Sequence, residues 1–345
     1  MQSVTIKKVA NQAGCSAMTV SNVLNRKGKV SKELSDRVMQ AINELGYRPN
    51  QAARKLVGKR GIGRGQLRRF GCVVPGSQDK YGDPYYGEML GAIEEELRRR
   101  NYNLVFIENE KEFEDELRRE ELLDEVNVDG LIVLDCSPEF LDLAGKYSCN
   151  VVRVGACVSN PDIDYVSCNM VQAGREATEY LIDRGHKNIA YFGFKLDEKF
   201  ARTEREGGYR LAMAAGATPL STKSFYTTEP FSPNSAYEDA TAMLKEHPEL
   251  TAVFCHNDMV ASMVVKAAWN MGRKIPEDLS VIGFNDDAIA SLCNPALTTV
   301  RVNKKDIGRV VAQCAVERIE NPELPPRMIL LQCQLIERES CGSAK

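Results

Sequence analysis

No stretch of this 345-residue chain is apolar for long enough to cross a bilayer, which takes ~18–20 residues. Its first residues, MQSVTIKKVANQAG, are polar from the start and lack the pattern of a secretory leader. Eleven cysteines occur, none at C-x-x-C spacing, which argues against structural zinc or a disulfide framework. Several sit in strand-like runs, Cys72 in FGCVV and Cys255 in AVFC, where a thiol serves as a small hydrophobe. The expected setting is a reducing cytoplasm, with no membrane partner. Histidine is scarce: only His186, His247 and His256. No G-x-S-x-G elbow or paired metal ligands accompany them. The acidic stretch EFEDELRREELLDE reads as a charged helix face rather than a carboxylate dyad. His256, at a strand end, reads as a pocket-lining or internally satisfied histidine. No catalytic residue, metal or cofactor is therefore expected.

What is present is a strong asymmetry of charge. The formal net charge is only -3, yet residues 1–70 hold 15 lysines and arginines against three acids, Glu33, Asp36 and Glu44. The rest of the chain carries 30 basic against 45 acidic residues. A basic segment on an acidic body points to a polyanion partner for that segment alone.

The first 46 residues read as three short helices. Thr5 can cap the first, with Ile6, Val9, Ala10 and Ala13 at helical spacing. Gly14 permits a tight turn. Ser16 caps a second helix whose Val20, Val23 and Leu24 face inward, leaving Ala17, Met18, Ser21, Asn22 and Asn25 outside. A third begins at Ser31, buries Leu34, Val38, Ala41, Ile42 and Leu45, and stops at Gly46. Two short helices around a glycine turn form a helix-turn-helix, whose second helix enters the DNA major groove. Periodicity alone also allows a protein-interaction module.

The words decide further. TIKKVANQAGCSAMTVSNVLN, then KVSKELSDRVMQAINELGYRPNQAARKL, closely resembles the headpiece of the LacI/GalR family of transcription regulators (the lactose-repressor type). This resemblance implies that Ala17, Met18 and Asn22 read bases, and that Thr5, Ser16, Thr19, Asn25 and Tyr47 touch or flank phosphates. It also implies a hinge helix over Asn50 to Leu56, including Ala53, with Leu56 as the minor-groove wedge that kinks the duplex. Two residues depart from the family pattern: Asn22 stands where arginine is common, and Lys8 where aspartate is. The implied headpiece spans residues 1–57. GKRGIGRGQLRR follows, placing a basic, glycine-rich linker at 58–69. Its spacing lacks the final glycine of a dinucleotide loop. It is either a plain linker or a basic arm that uses Arg60, Arg64, Arg68 and Arg69 on the DNA backbone or minor groove.

Over 70–345, the runs FGCVV, YNLVFI, GLIVL, NVVRV, NIAYFG, TAVFC and LSVIGF alternate with amphipathic stretches such as PYYGEMLGAIEEELRRR. The alternation predicts an α/β body with parallel sheets covered on both faces by helices. Its length suits two Rossmann-like lobes with a cleft at the carboxyl ends of the strands. EATEYLIDRGHKNIAYFG, RTEREGGYR, HNDMVASMVVKAAWNMGRKIPEDLSVIGFNDD and NPALTTVRVN are similar to the core of the same family, which has the periplasmic-binding-protein fold. The resemblance implies an all-α headpiece on that core, three chain crossings between lobes, and lobe one near 70–167 plus about 298–322. It implies a small sugar-like effector bound by Tyr85 or Tyr86, Asn169, Arg205, Asn257 and Asn285, and a homodimer on a pseudopalindromic double-stranded DNA operator. Asn169 and Asn285 replace the family's common aspartates, so the pocket around Arg205 is expected to be less negative than usual. Asp258 and Asp286 are candidates to compensate. Trp269, in mid-helix, is expected to pack in the core or to form a dimer contact.

Overall fold

The computed structural model describes residues 6–24, 31–45, 68–75, 84–115, 119, 128–144, 150–155, 163–194, 204–215, 221–229 and 232–345. The chain divides after Gln66 into two units.

In the first unit, helices α1 (Ile6–Ala13), α2 (Ala17–Leu24) and α3 (Lys32–Leu45) surround a small core of Val9, Ala10, Ala13, Val20, Val38 and Ala41. The expected glycine turn is there: Gly14 has φ +63°, a conformation that costs a residue without Cβ little. Ser16 caps α2, its Oγ accepting the Thr19 N–H at 3.0 Å, and satisfies a donor that the helix start leaves free. Ser31 does the same for α3 through Leu34 N–H at 3.4 Å.

The second unit holds two six-stranded sheets. The first contains β1 (Arg68–Val74), β2 (Tyr102–Asn109), β3 (Gly130–Leu134), β4 (Asn150–Val154) and β5 (Asp164–Cys168), plus β11 (Met328–Leu331). Their order is β11-β5-β4-β3-β1-β2. The second contains β6 (Asn188–Phe194), β7 (Ser221–Thr227), β8 (Ala252–Cys255), β9 (Ser280–Asn285), β10 (Thr298–Arg301) and β12 (Gln334–Ile336), ordered β12-β10-β9-β8-β6-β7. All pairings are parallel except β10 with β12.

Helices cover both faces of each sheet. On the first, α4 (Pro84–Arg99) and α12 (Lys304–Glu320) pack through Met89, Ile93 and Leu97 with Ile307 and Val311. Its other face meets α5 (Glu110–Glu114) and α6 (Pro138–Ala144) through Phe113, Phe140 and Leu141. On the second, α7 (Met170–Asp183) and α8 (Glu204–Ala215) supply Ala177, Leu181, Tyr209 and Met213. Opposite them lie α9 (Pro233–Glu246), α10 (Asp258–Asn270) and the short α11 (Ala288–Leu292), with Met243, Leu244, Val260, Val264 and Ala290. The buried cysteines Cys72, Cys168 and Cys255 belong to these apolar clusters as free thiols.

Three crossings join the lobes, after Cys168, after Arg301 and after Leu331. The expected division of the lobes needs correction. Residues 298–301 form β10 of the second sheet, because Thr298 to Arg301 pair with Ile282 to Asn285. The first lobe takes back only α12 and then β11, which pairs with β5. The linker expectation is shortened in the same way: Arg68 and Arg69 already belong to β1, and Arg68 Nη1 donates to the Tyr102 hydroxyl at 2.6 Å. They are part of the sheet, not of a free arm. Arg60 and Arg64 lie outside the described residues.

Candidate functional sites

On the headpiece, the exposed side of α2 carries Met18, 73 % exposed, with Asn22 and Thr19 half-exposed. Ser16 and Thr19 hydroxyls bond to one another at 2.9 Å, which fixes both near the helix start. Ala17 is less free than expected, since it packs partly against the headpiece core. Thr5, Asn25, Tyr47, Asn50, Ala53 and Leu56 lie outside the described residues, so the hinge expectation stays one of sequence.

In the core, the close approach of α7 and α8 sets the position of Arg205. A Cβ on Gly174 would overlap the backbone oxygen of Arg205, and one on Gly208 would overlap that of Val171. Only glycine lets the two helix backbones touch there. Arg205, in the first turn of α8, then reaches the carboxyl ends of β8 and β9. Its Nη1 donates to His256 Nε2 at 2.8 Å and its Nη2 to Asn285 Oδ1 at 3.3 Å. The guanidinium lies over the Phe284 ring, 4.4 Å from its centroid, a favourable cation–π geometry.

His256 is thereby fixed in one tautomer. A guanidinium only donates, so Nε2 accepts and the proton sits on Nδ1, which donates to the Tyr191 hydroxyl at 2.9 Å. Burial, and then the Arg205 charge, hold its pKa well below the usual histidine value. Sequence alone left this histidine between pocket-lining and satisfied. It is the partner of the pocket arginine, and its place just after β8 was the available signal.

Asn285 ends β9 with φ +99°, and Asp286 follows at +54°. Two consecutive non-glycine residues in this region are uncommon, though Asn and Asp tolerate it best. The turn is held from several sides. Asp258 accepts the Asp287 N–H at 2.7 Å and the Thr299 hydroxyl at 2.5 Å. Lys304, at the start of α12 in the other lobe, reaches Asp287 at 2.8 Å, the Asn285 carbonyl at 3.4 Å and Glu88 at 3.2 Å. Lys304 therefore ties the arginine-bearing lobe to α4. Sequence reasoning passed over it because a lysine opening a helix looks like an ordinary surface charge.

Asn169 and Asn257 turn out to be N-caps. Their Oδ1 atoms accept the N–H groups of Gln172 at 3.2 Å and Val260 at 2.9 Å, at the starts of α7 and α10. Tyr86 donates from its hydroxyl to Asp135 at 3.1 Å, staying within lobe one. Tyr85 stands edge-on to it, with ring centroids 5.1 Å apart. Burial and then Asp135 raise the Tyr85 pKa, while Arg205 opposes them. Tyr85 is thus a lobe-one side chain within electrostatic reach of Arg205. The expected compensation by Asp258 and Asp286 does not occur: Asp286 pairs with Arg301 at 2.7 Å and Arg338 at 2.6 Å. Trp269 is 79 % exposed, which excludes core packing.

Two family models match the chain. Residues 5–50 match the bacterial regulatory proteins of the lacI family, and residues 178–341 match a periplasmic binding protein-like domain. The HTH-type transcriptional repressor PurR of Pasteurella multocida (strain Pm70) is 31 % identical over 343 residues, 98 % of this chain and 99 % of that protein. This chain belongs to the lacI family of bacterial regulatory proteins. The ribose operon repressor of Escherichia coli (strain K12) is 32 % identical over 340 residues, 97 % of this chain and 99 % of that protein. A solved complex of the transcriptional regulator CelR with cellobiose superimposes with a TM-score of 0.68 at 27 % identity, covering 98 % and 99 % of the two chains. Membership accounts for both halves of the molecule: a DNA-binding headpiece, and a two-lobed body of the binding-protein fold. The chain is a transcription regulator and not an enzyme. Among the described residues, no helix is long and apolar enough to cross a membrane.

Proposed function

We propose that this regulator is a cytoplasmic repressor that binds a two-fold-symmetric operator as a homodimer and changes its operator affinity when a small sugar-like compound enters the cleft between its lobes. The observation that carries the reading is the convergence of Arg205, His256 and Asn285 at the carboxyl ends of β8 and β9, where open parallel sheets bind ligands. Tyr85, Asn169 and Asn257 complete the polar lining, and Lys304 links it to the other lobe. The names of the relatives agree with a sugar, since one is a ribose operon repressor and another was solved with cellobiose. The exposed Trp269 on α10 is the candidate dimer contact.

The DNA half of the reading is tested by selecting sites from random duplexes with the full chain. The expected product is an inverted repeat whose half-sites are rich in A·T under α2. Asn22 can pair bidentately with adenine, and Ala17 and Met18 suit thymine methyl groups. Selected sequences without two-fold symmetry would refute the proposal.

A further inference from the structure

We propose that the compound bound in this cleft carries an anionic group, a carboxylate or a phosphate, and that Arg205 is its counter-ion. This rests on reading the cleft as the effector site. The geometry adds the sign of the ligand's charge.

Arginine is always charged in a protein, yet every partner the structure gives Arg205 is neutral. His256 must keep its Nε2 lone pair to accept the Nη1 proton at 2.8 Å. Asn285 offers a carboxamide oxygen at 3.3 Å, and Phe284 offers the face of a ring. The remaining guanidinium nitrogen, Nε, is buried with no acceptor among the described residues. Among the described residues, no carboxylate makes an ion pair with Arg205. The nearby acids are committed elsewhere. Asp258 accepts from Thr299 and from the Asp287 backbone, Asp286 holds Arg301 and Arg338, Asp287 holds Lys304, and Asp135 accepts from Tyr86. Arg318 and Arg338 of the same core each meet a carboxylate within 2.8 Å, and Arg153 and Arg273 meet backbone carbonyls; Arg205 has only a neutral imidazole and a carboxamide.

One helix start points the same way. The start of α7 carries the partial positive charge of aligned peptide dipoles; it is capped by an asparagine amide and has no acid in its first turn. An arginine with neutral partners in a ligand cleft leaves one unit of positive charge for the ligand to match. A planar carboxylate or a phosphate suits the guanidinium hydrogens left over by the bonds to His256 and Asn285 better than a sugar hydroxyl does.

The test is thermal stabilisation and calorimetry of the full chain with matched probes. D-glucose is compared with D-gluconate, D-glucuronate and glucose 6-phosphate, and acetate and inorganic phosphate serve as minimal anions. At least one anion should bind tenfold or more tightly than its uncharged counterpart, and its affinity should fall as sodium chloride rises. The sugar-acid and sugar-phosphate arms tell carboxylate from phosphate. Arg205→Met should erase the preference, and Arg205→Lys, which keeps the charge but not the fork, should retain part of it. Wild type and Arg205→Met responding alike to every anion would overturn the proposal, as would glucose binding as well as its acids and phosphate. Should a neutral sugar control operator affinity with no anion advantage, the effector reading survives and this inference falls. Should no operator be selected, the DNA reading falls while the anion comparison still decides this one.

Discussion

The two ends of the parallel sheets differ in how completely their buried charges are paired. At the strand starts, polar groups are matched to their opposites. Asp164 opens β5 fully buried, with Arg318 at 2.8 Å and Arg327 at 3.4 Å. Burial works to raise its pKa, but hydrogen bonds from Arg318 and the Arg327 backbone override it and hold the carboxylate ionised. His186, just ahead of β6, has both ring nitrogens engaged, by Thr251 at 2.9 Å and by the Gly342 carbonyl at 3.1 Å. At the strand ends the matching is incomplete: Asp286 and Asp287 hold Arg301, Arg338 and Lys304, but other groups are left without an opposite charge. Arg205 has neutral partners, Asp258 is pushed up to about 7 by burial, and Asn285 and Asp286 adopt left-handed backbone. An arginine left without a carboxylate at the carboxyl ends of β8 and β9 marks the end that is built to receive something.

The largest effect that separates the two ends is expected at Asp164. Asp164→Ala leaves two arginines facing a buried gap, and breaking such a pair costs about 3–5 kcal/mol. Urea unfolding should show that loss, while ligand affinity measured well below the unfolding midpoint stays as in wild type. A stable Asp164→Ala protein would dissolve the distinction between the ends.

Gly174→Ala sits between the two behaviours. Its new Cβ meets the Arg205 backbone, and overpacking of this kind costs roughly 1–3 kcal/mol. Because α8 has to move, the variant should lose ligand affinity as well as stability. If calorimetry finds affinity intact, the glycine contact does not position Arg205.

Acidity acts with opposite signs on two groups at the strand ends. The unfolded chain takes up a proton at His256 near pH 6.5 and the folded chain does not, so this residue's contribution is complete above that pH and is lost as pH falls below it. Asp258 has the opposite sign: its folded pKa of about 7 exceeds the ordinary aspartate value of 3.8, so the folded state gains stability as pH falls from 7 toward 4. Each slope is at most about 1.4 kcal/mol per pH unit. Relative to wild type, Asp258→Asn should lose stability more steeply between pH 6.5 and pH 4.5, and His256→Gln less steeply. Identical pH profiles in melting experiments would contradict the assignment.

How much of this was legible beforehand depends on how local each signal is. β1, β3, β4, β6, β8 and β9 announce themselves as apolar runs, and the headpiece as capped, periodic helices. β5 does not, because DYVSC gains its place from Arg318, 154 residues away. β7, STKSFYT, is a largely polar edge strand in which Phe225 meets the core, and β11 and β12 are short, partly exposed returns. The true lobe boundary after Arg301 follows from the pairing of β10 with β9, which no local pattern encodes. In the site, Arg205 and Asn285 were legible through family words. The bond from Arg205 to His256 was not, since it joins residues 51 apart. Lys304 needed the other lobe in place before its burial could be seen.

The measurement that bears most directly on the whole account couples its two halves. Fluorescence anisotropy on a selected operator would compare full-length wild type with Arg205→Met, each titrated with gluconate, glucose 6-phosphate, ribose and cellobiose. The account predicts that at least one compound shifts the wild-type operator affinity tenfold or more, and that the shift disappears in Arg205→Met. A shift of equal size in both proteins, or none in either, would contradict it.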